Sequence, residues 1–255
     1  MFTALLALFF IIGLVIGSFL NVVILRVDDL KSILNSRSHC PSCKKILRWY
    51  DLVPFISFIL LKARCRYCNE KISWQYPIVE LSTGILFAIT YMFFGLTFGT
   101  AFYLLVFSIL IVILVHDLKT QYVPEGLVWT ALVVSLLGSW YFNGNGLGSM
   151  IMGGLIGGGF LALLVYISKE KWMGKGDIKV GVILGLIVGY PEVLFALFLS
   201  FLLGSIVGLI VIKTAKKSLK DSLPFTPFLI IATFLTLIFG DSAINWYLNS
   251  FILSY

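Results

Sequence analysis

The feature that most constrains this chain is a succession of apolar stretches, each long enough or nearly long enough to cross a lipid bilayer. They fall at about 3–23, 78–98, 101–116, 127–142, 149–167, 178–190, 193–212 and 225–248. In hydrocarbon a backbone must satisfy its own polar groups, and apolar runs of this length do so as helices. The composition agrees. The chain is 60% hydrophobic and only 12% charged, roughly half the charge of a soluble domain. The expected fold class is an all-α polytopic membrane protein of about eight transmembrane helices with a small cytoplasmic zinc-binding domain. Residues 1–23 form the first transmembrane helix, 24–77 the polar cysteine-bearing domain, and 78–255 a seven-helix membrane domain. The first stretch is not a cleaved signal peptide on this reading, because no positive flank precedes it and Arg26 and Lys31 follow it. No internal repeat is evident.

Charge fixes the orientation. Ten of the nineteen Lys and Arg residues lie in 24–77 (Arg26, Lys31, Arg37, Lys44, Lys45, Arg48, Lys62, Arg64, Arg66, Lys71). Lys119 follows the third stretch. Lys169, Lys171, Lys175 and Lys179 surround the start of the sixth, and Lys213, Lys216, Lys217 and Lys220 follow the seventh. None remains for the alternate connections, among them Asn143-Gly144-Asn145-Gly146. The positive-inside rule places the basic segments in the cytoplasm and both termini outside. The net charge of +7 is thus a topological signal, with anionic lipid heads as partners and no nucleic acid.

Two acids sit at the edges of apolar stretches. Asp117 ends the third, and Asp177 closes the run Gly174-Lys175-Gly176-Asp177 before the sixth. Ionisable residues in such places are costly and mark function. The sixth stretch spans only about 20 Å as a helix and the third about 24 Å, against a hydrocarbon core of about 30 Å. Both acids are therefore expected in a wet recess on the cytoplasmic side. Two adjacent carboxyls cannot both ionise easily. One can take a proton from water while the other polarises a carbonyl and feeds a proton to a leaving amine. Gly174 and Gly176 allow close approach and unusual backbone angles. The plainer readings are a helix cap or a pair with Lys119 for Asp117, and a pair with Lys175 or Lys179 for Asp177. His116 reads as a helix-end residue. Glu125 is an acid in a first helical turn or lines the site, and Glu80 is similar. Asp51, Glu70, Glu170 and Asp221 read as solvated loop charges.

All four cysteines form two CxxC pairs, Cys40-Pro-Ser-Cys43 and Cys65-Arg-Tyr-Cys68, separated by 21 residues. That spacing is a tetrathiolate zinc site of the closed, structural kind. Free thiols, a redox pair or iron are the alternatives. His39 reads as a loop residue. Segment 24–77 has few apolar residues, so a metal staple explains how it holds a shape. Pro54–Leu61 is apolar enough for an interfacial helix, and Trp49, Phe55, Phe58 and Trp74 could dock it on the membrane. The glycines at 153, 154, 157, 158 and 159 either let helices approach closely or bend one to open a cavity.

Together these residues resemble the bifunctional type IV prepilin peptidases, a family of GxGD aspartyl membrane proteases. The likeness covers nearly the whole chain: Gly17-Ser18-Phe19-Leu20-Asn21-Val22, the CxxC pairs enclosing Tyr50-Asp51-Leu52-Val53-Pro54, Tyr76-Pro77-Ile78-Val79-Glu80, Asp117 with Val123-Pro124, Gly174 to Lys179, and Pro224-Phe225-Thr226-Pro227-Phe228. The resemblance implies cleavage of the short basic leader of prepilins or pseudopilins at the cytoplasmic face of the bacterial inner membrane. It implies N-methylation of the new N-terminus with S-adenosylmethionine, and a role in type IV pili, type II secretion or DNA uptake. It makes Asp117 and Asp177 the catalytic pair, with Gly174, Gly176, Lys179 and Glu125 in support. Cys40, Cys43, Cys65 and Cys68 become the zinc ligands, and 24–77 the methyltransferase domain. Three positions depart from the pattern. Glu125 stands where the family often has Asp, Thr226 where it commonly has Gly, and Ala63 where it often has Gly. A GxGD protease of other membrane substrates, a proton-coupled carrier using the two acids, and an assembly scaffold without chemistry are the competing readings.

Overall fold

Each apolar stretch folds as one helix, and a computed structural model describes residues 1–27, 37–142, 146–215 and 224–252. Lys31, Lys216, Lys217, Lys220, Asp221 and the loop residues Asn143, Gly144 and Asn145 lie outside the described residues. The helices are α1 (Phe2–Leu25), the short α2 (Ile56–Leu60), α3 (Gln75–Phe94), α4 (Phe98–Thr120), α5 (Glu125–Phe142), α6 (Gly146–Ser168), α7 (Lys175–Val188), α8 (Glu192–Ala215) and α9 (Thr226–Tyr247). Among the described residues there is no strand, only the isolated bridges His39 to Ile46 and Arg64 to Lys71. Seven of the helices are long and apolar enough to cross a membrane. The eighth, α7, has 14 residues and reaches only about 21 Å.

The third apolar stretch is longer than the sequence suggested. Helix α4 has 23 residues, about 34 Å, because the helix continues through the polar His116-Asp117-Leu118-Lys119 turn. Its length does not pull Asp117 inward. Of the two acid-bearing helices only α7 is too short to span.

The chain divides into two compact units, Met1–Val112 and Ile113–Tyr255, with the boundary inside α4. In the first, α1 lies along α3 at backbone contact. A methyl built on Gly13 would stand 2.7 Å from Gly84 Cα, and one on Gly17 2.8 Å from Glu80 Cα. Asn21, fully buried one turn further on, donates to the Tyr76 carbonyl at 3.2 Å and accepts from Gln75 Nε2 at 3.2 Å. The Gly17–Asn21 motif thus ties the end of α1 to the start of α3. The Glu80 carboxylate in turn accepts the Phe55 N–H at 2.8 Å, which anchors the polar segment to α3.

In the second unit α7 is the central element. Val180, Ile183, Leu184, Ile187 and Val188 are all buried, and α5, α6 and α9 pack around it. On α6 the glycine crowd serves close packing. A methyl on Gly153 would fall on the Gly185 carbonyl, and one on Gly157 on the Gly181 carbonyl. Small residues spaced by four on both helices bring the backbones together. No rotamer change relieves such a collision, so Gly185→Leu should destabilise this unit by about 3 kcal/mol, the upper end for overpacking. A melting curve in detergent matching the parent's would refute that.

Candidate active site and cysteine centre

Asp117 stands in the last turn of α4, where the chain reverses sharply. The Gln121 N–H caps the Asp117 carbonyl at 2.8 Å, with Gln121 in the left-handed region (φ 54). His116 Nδ1 donates to the Tyr122 carbonyl at 2.9 Å and lies 3.0 Å from Thr120 Oγ1. It is thus the helix-end staple its sequence position suggested. This turn swings the chain directly into α5 and holds the Asp117 carboxyl inward. That carboxyl is buried, and its Oδ2 has no hydrogen-bond partner in the protein.

Asp177 comes from a different kind of element. It is the third residue of α7, and its Oδ2 accepts the Gly174 N–H at 3.1 Å, closing the first turn upon itself. Its Oδ1 accepts from Thr226 Oγ1 at 2.8 Å. The two acids, 60 positions apart in the chain, are brought to the same site, and Thr226 stands there with them. All three residues line one cavity of about 430 Å³, walled by Val123, Val128, Met173, Pro224 and Phe225.

The supporting residues fall around that cavity. Gly176 is needed for close approach, since a methyl there would stand 2.9 Å from the Val123 side chain. Neither glycine takes an unusual backbone conformation, contrary to expectation. Gly174 is extended (φ −83, ψ 159), because it is the residue that enters the helix, and Gly176 is helical. The backbone strain sits instead at Gln121, Lys169 and Glu170, non-glycine residues with φ of 54, 50 and 63 that end α4 and α6 beside the site. The lysines do not pair with Asp177. Lys179 binds Glu125 at 2.8 Å and Lys175 binds Glu170 at 2.7 Å. Glu125 opens the first turn of α5 and also lines the cavity. Thr226 is the residue to which sequence reasoning assigned no role. The signal was a polar side chain in the otherwise apolar run Pro224–Phe228.

The cysteines gather in the first unit. Each CxxC pair forms a knuckle in which a later N–H returns to the first cysteine's carbonyl, Lys44 to Cys40 at 2.9 Å and Asn69 to Cys65 at 2.9 Å. All four Sγ atoms lie within 4.8 Å of one another, and Cys40 Sγ is 3.8 Å from Cys68 Sγ. A zinc tetrahedron with bonds of about 2.3 Å requires sulfurs about 3.8 Å apart, so the donor set fits that ion. Burial opposes ionisation of Cys40, but the N–H groups of Cys43 and Ser42 outweigh it and bring its thiol to about 7. The Glu70 N–H draws Cys68 down, yet burial and the neighbouring thiols push it up to about 12. Four thiols this close ionise together only around a cation.

Asp51 is not a solvated loop charge. It is buried and accepts from Arg66 Nε at 2.7 Å, from Tyr67 Oη at 3.1 Å and from the Arg48 N–H at 3.2 Å. Burial alone would raise its carboxyl, but the Arg66 guanidinium and the Arg48 N–H hold it below the ordinary carboxylate range. It thereby ties the start of the Trp49–Asp51 helical turn to the second knuckle. Phe58 is also buried, edge-on to Trp74 at 5.0 Å. Trp49, Ile56, Ile59 and Leu60 remain exposed and carry the apolar surface expected of an interfacial segment. Ala63 holds φ 57, a left-handed conformation that costs a residue with a Cβ about 1–2 kcal/mol. Glycine would take it freely.

Known families cover both units. The bacterial Peptidase A24 N-terminal domain matches residues 11–94, and the type IV leader peptidase family matches residues 104–209. The prepilin leader peptidase/N-methyltransferase of Bacillus subtilis (strain 168) is 31% identical over 251 residues, 96% of this chain and 98% of that protein. This chain belongs to the type IV leader peptidase family. Similar proteins with the same name occur in Aeromonas salmonicida (strain A449), 30% identical over 96% of this chain and 94% of the relative, and in Legionella pneumophila, 31% identical over 93% and 92%. No solved structure matches the chain. The family segments enclose the cysteine cluster in one case and both aspartates in the other, while Thr226 lies beyond them.

Proposed function

We propose that this chain cleaves the leader peptides of type IV prepilins or pseudopilins and methylates the N-terminus that the cut exposes. Its relatives are named for both activities. The observation that carries the peptidase reading is the meeting of Asp117 and Asp177, two buried carboxyls from separate helices, on one cavity. A water held between them is activated by whichever carboxyl is ionised. The scissile carbonyl is polarised by the one that is protonated. No serine, cysteine or metal is required. Gly174, extended at the entry to α7, offers backbone beside which a substrate can lie, and the Lys179–Glu125 pair holds α7 against the start of α5 at the cavity edge.

The remaining assignments follow the same reading. Residues 1–23 are the first transmembrane helix, 24–77 the zinc-binding methyltransferase domain and 78–255 the peptidase domain. Cys40, Cys43, Cys65 and Cys68 hold a structural zinc whose chemistry is to fix the two knuckles, and S-adenosylmethionine is the methyl donor. The enzyme sits in the bacterial inner membrane with its basic segments and both aspartates on the cytoplasmic side and both termini outside. Lipid headgroups, not nucleic acid, face those basic segments. The test is to incubate the purified protein with a candidate prepilin and S-adenosylmethionine and to read the product's N-terminus by mass spectrometry. A shortened, singly methylated product is expected. A shortened but unmethylated product removes the transferase assignment alone, and an uncut substrate removes the peptidase.

A further inference from the structure

Thr226 holds a position that a shared catalytic site would not leave to chance. It is 1% exposed, begins the 22-residue α9 and puts its hydroxyl 2.8 Å from Asp177 Oδ1. The Gly174 N–H occupies the other oxygen, Oδ2, at 3.1 Å. Asp177 therefore receives a donor on each oxygen and lies at the N-terminal ends of two helices, α7 and α9, where negative charge is favoured. Asp117 is the opposite case. Its Oδ2 is buried with no partner, and it sits at the C-terminal end of α4, where negative charge is disfavoured. A hydroxyl has one proton to give. If Thr226 gives it to Asp177, none is left for Asp117, whose buried and unpartnered oxygen is then the one that more readily keeps a proton.

We propose that Thr226 is a positioning residue that makes the pair unequal, fixing Asp177 as the carboxylate and Asp117 as the carboxylic acid when the peptide arrives. This rests on the reading of the two aspartates as the catalytic pair and assigns their roles within it. Asp177 takes a proton from water as the water oxygen bonds to the scissile carbonyl carbon. Asp117 gives its proton to the carbonyl oxygen, leaving a tetrahedral diol. The C–N bond then breaks as the nitrogen takes the proton from Asp177, and one diol hydroxyl returns its proton to Asp117. Both acids end as they began. Thr226 stays outside the bond changes and sets which acid starts in which state.

The other charged groups around the pair do not duplicate this. His116 is turned to the Tyr122 carbonyl. Glu125 and Lys179 neutralise each other, as do Glu170 and Lys175. Among the described residues, Lys171 and the Tyr122 phenol complete the titratable groups on the cavity wall.

The experiment is the pH dependence of kcat/KM for cleavage of a synthetic prepilin peptide by the full-length enzyme in detergent, comparing Thr226→Val, Thr226→Gly and Thr226→Ser with the parent. Loss of one hydrogen bond to a charged group should move the acidic limb up by about one pH unit in the Val and Gly variants. It should lower kcat about tenfold with KM within about twofold, and the Ser variant should restore the parent profile. Gly, which adds no bulk, covers the case in which Val does not fold. A Gly or Val profile superimposable on the parent's overturns the proposal, as does a Ser variant displaced like Val. Asp117→Asn and Asp177→Asn run alongside. If they still cleave, the catalytic pair itself is wrong, whereas inactive Asn variants with an unmoved Thr226→Gly profile sink only the role of Thr226.

Discussion

Asp117→Asn and Asp177→Asn should each lower the rate of leader cleavage by about a thousandfold or more, since each removes a group that must gain or lose a proton in every turnover. The folded state should survive both changes. Asparagine keeps the volume and one oxygen acceptor, so the amide oxygen in Asp177→Asn could still take the Thr226 hydroxyl or the Gly174 N–H that now reaches the carboxylate. At position 117 the change removes a buried carboxyl whose Oδ2 makes no hydrogen bond, and little stability is lost with it. The measurement is the initial rate with a prepilin peptide, together with the melting temperature in detergent. The double variant should be no slower than the slower single one, because the two acids act as a unit. Either single variant cleaving within tenfold of the parent would exclude the two-aspartate mechanism. The same result separates the competing readings. A scaffold would keep its function with either asparagine, and a carrier would show no leader cleavage to lose.

Much of this was legible in the sequence, for physical reasons that also mark where legibility ended. Apolar length reports a span directly, so every helix from α3 to α9 was found near its observed limits. The end of α4 was not, because hydropathy stops at Val115 while the helix continues to Thr120. A helix can carry a polar, largely exposed last turn when local hydrogen bonds close it, here Thr120 to the His116 carbonyl and Gln121 to the Asp117 carbonyl, and a hydropathy pattern does not register these. The acids were found because a charge beside an apolar run is rare. Their actual partners were not, because the choice between Lys175, Lys179 and Thr226 for Asp177 depends on how α9 meets α7, and nothing local encodes that. Asp51 illustrates the same limit. Its sequence setting is a polar loop, and only the folded knuckle brings Arg66 and Tyr67 onto it. The glycines of α6 were legible as small residues, and the structure decides between bending and close approach because the matching Gly181 and Gly185 lie on α7.

Replacing Cys40 and Cys43 with serine should reduce bound zinc from one ion per chain to none and unfold the segment from Arg37 to Trp74. That segment has little else to hold it. Its helices are the single turn Trp49–Asp51 and the five-residue α2. Among the described residues its buried side chains are Cys40, Cys65, Asp51 and Phe58, and its Ala63 backbone is strained. A domain this small and this polar is stable only with a cross-link, and a structural zinc contributes about 10–16 kcal/mol in isolated finger peptides. The ion pair of Asp51 with Arg66 cannot substitute. The arginine is half exposed, and solvent screens such a pair. The measurement is metal content by elemental analysis, paired with hydrogen exchange of the backbone amides. In the parent protein Lys44, Asn69, Cys40 and Cys65 donate the knuckle hydrogen bonds, and these amides should be protected. In the serine variant they should exchange at the rate of an unfolded chain, while the amides of α7 in the other unit stay protected. Protection of the knuckle amides surviving without metal would show that packing alone holds the segment and would remove zinc from its structure.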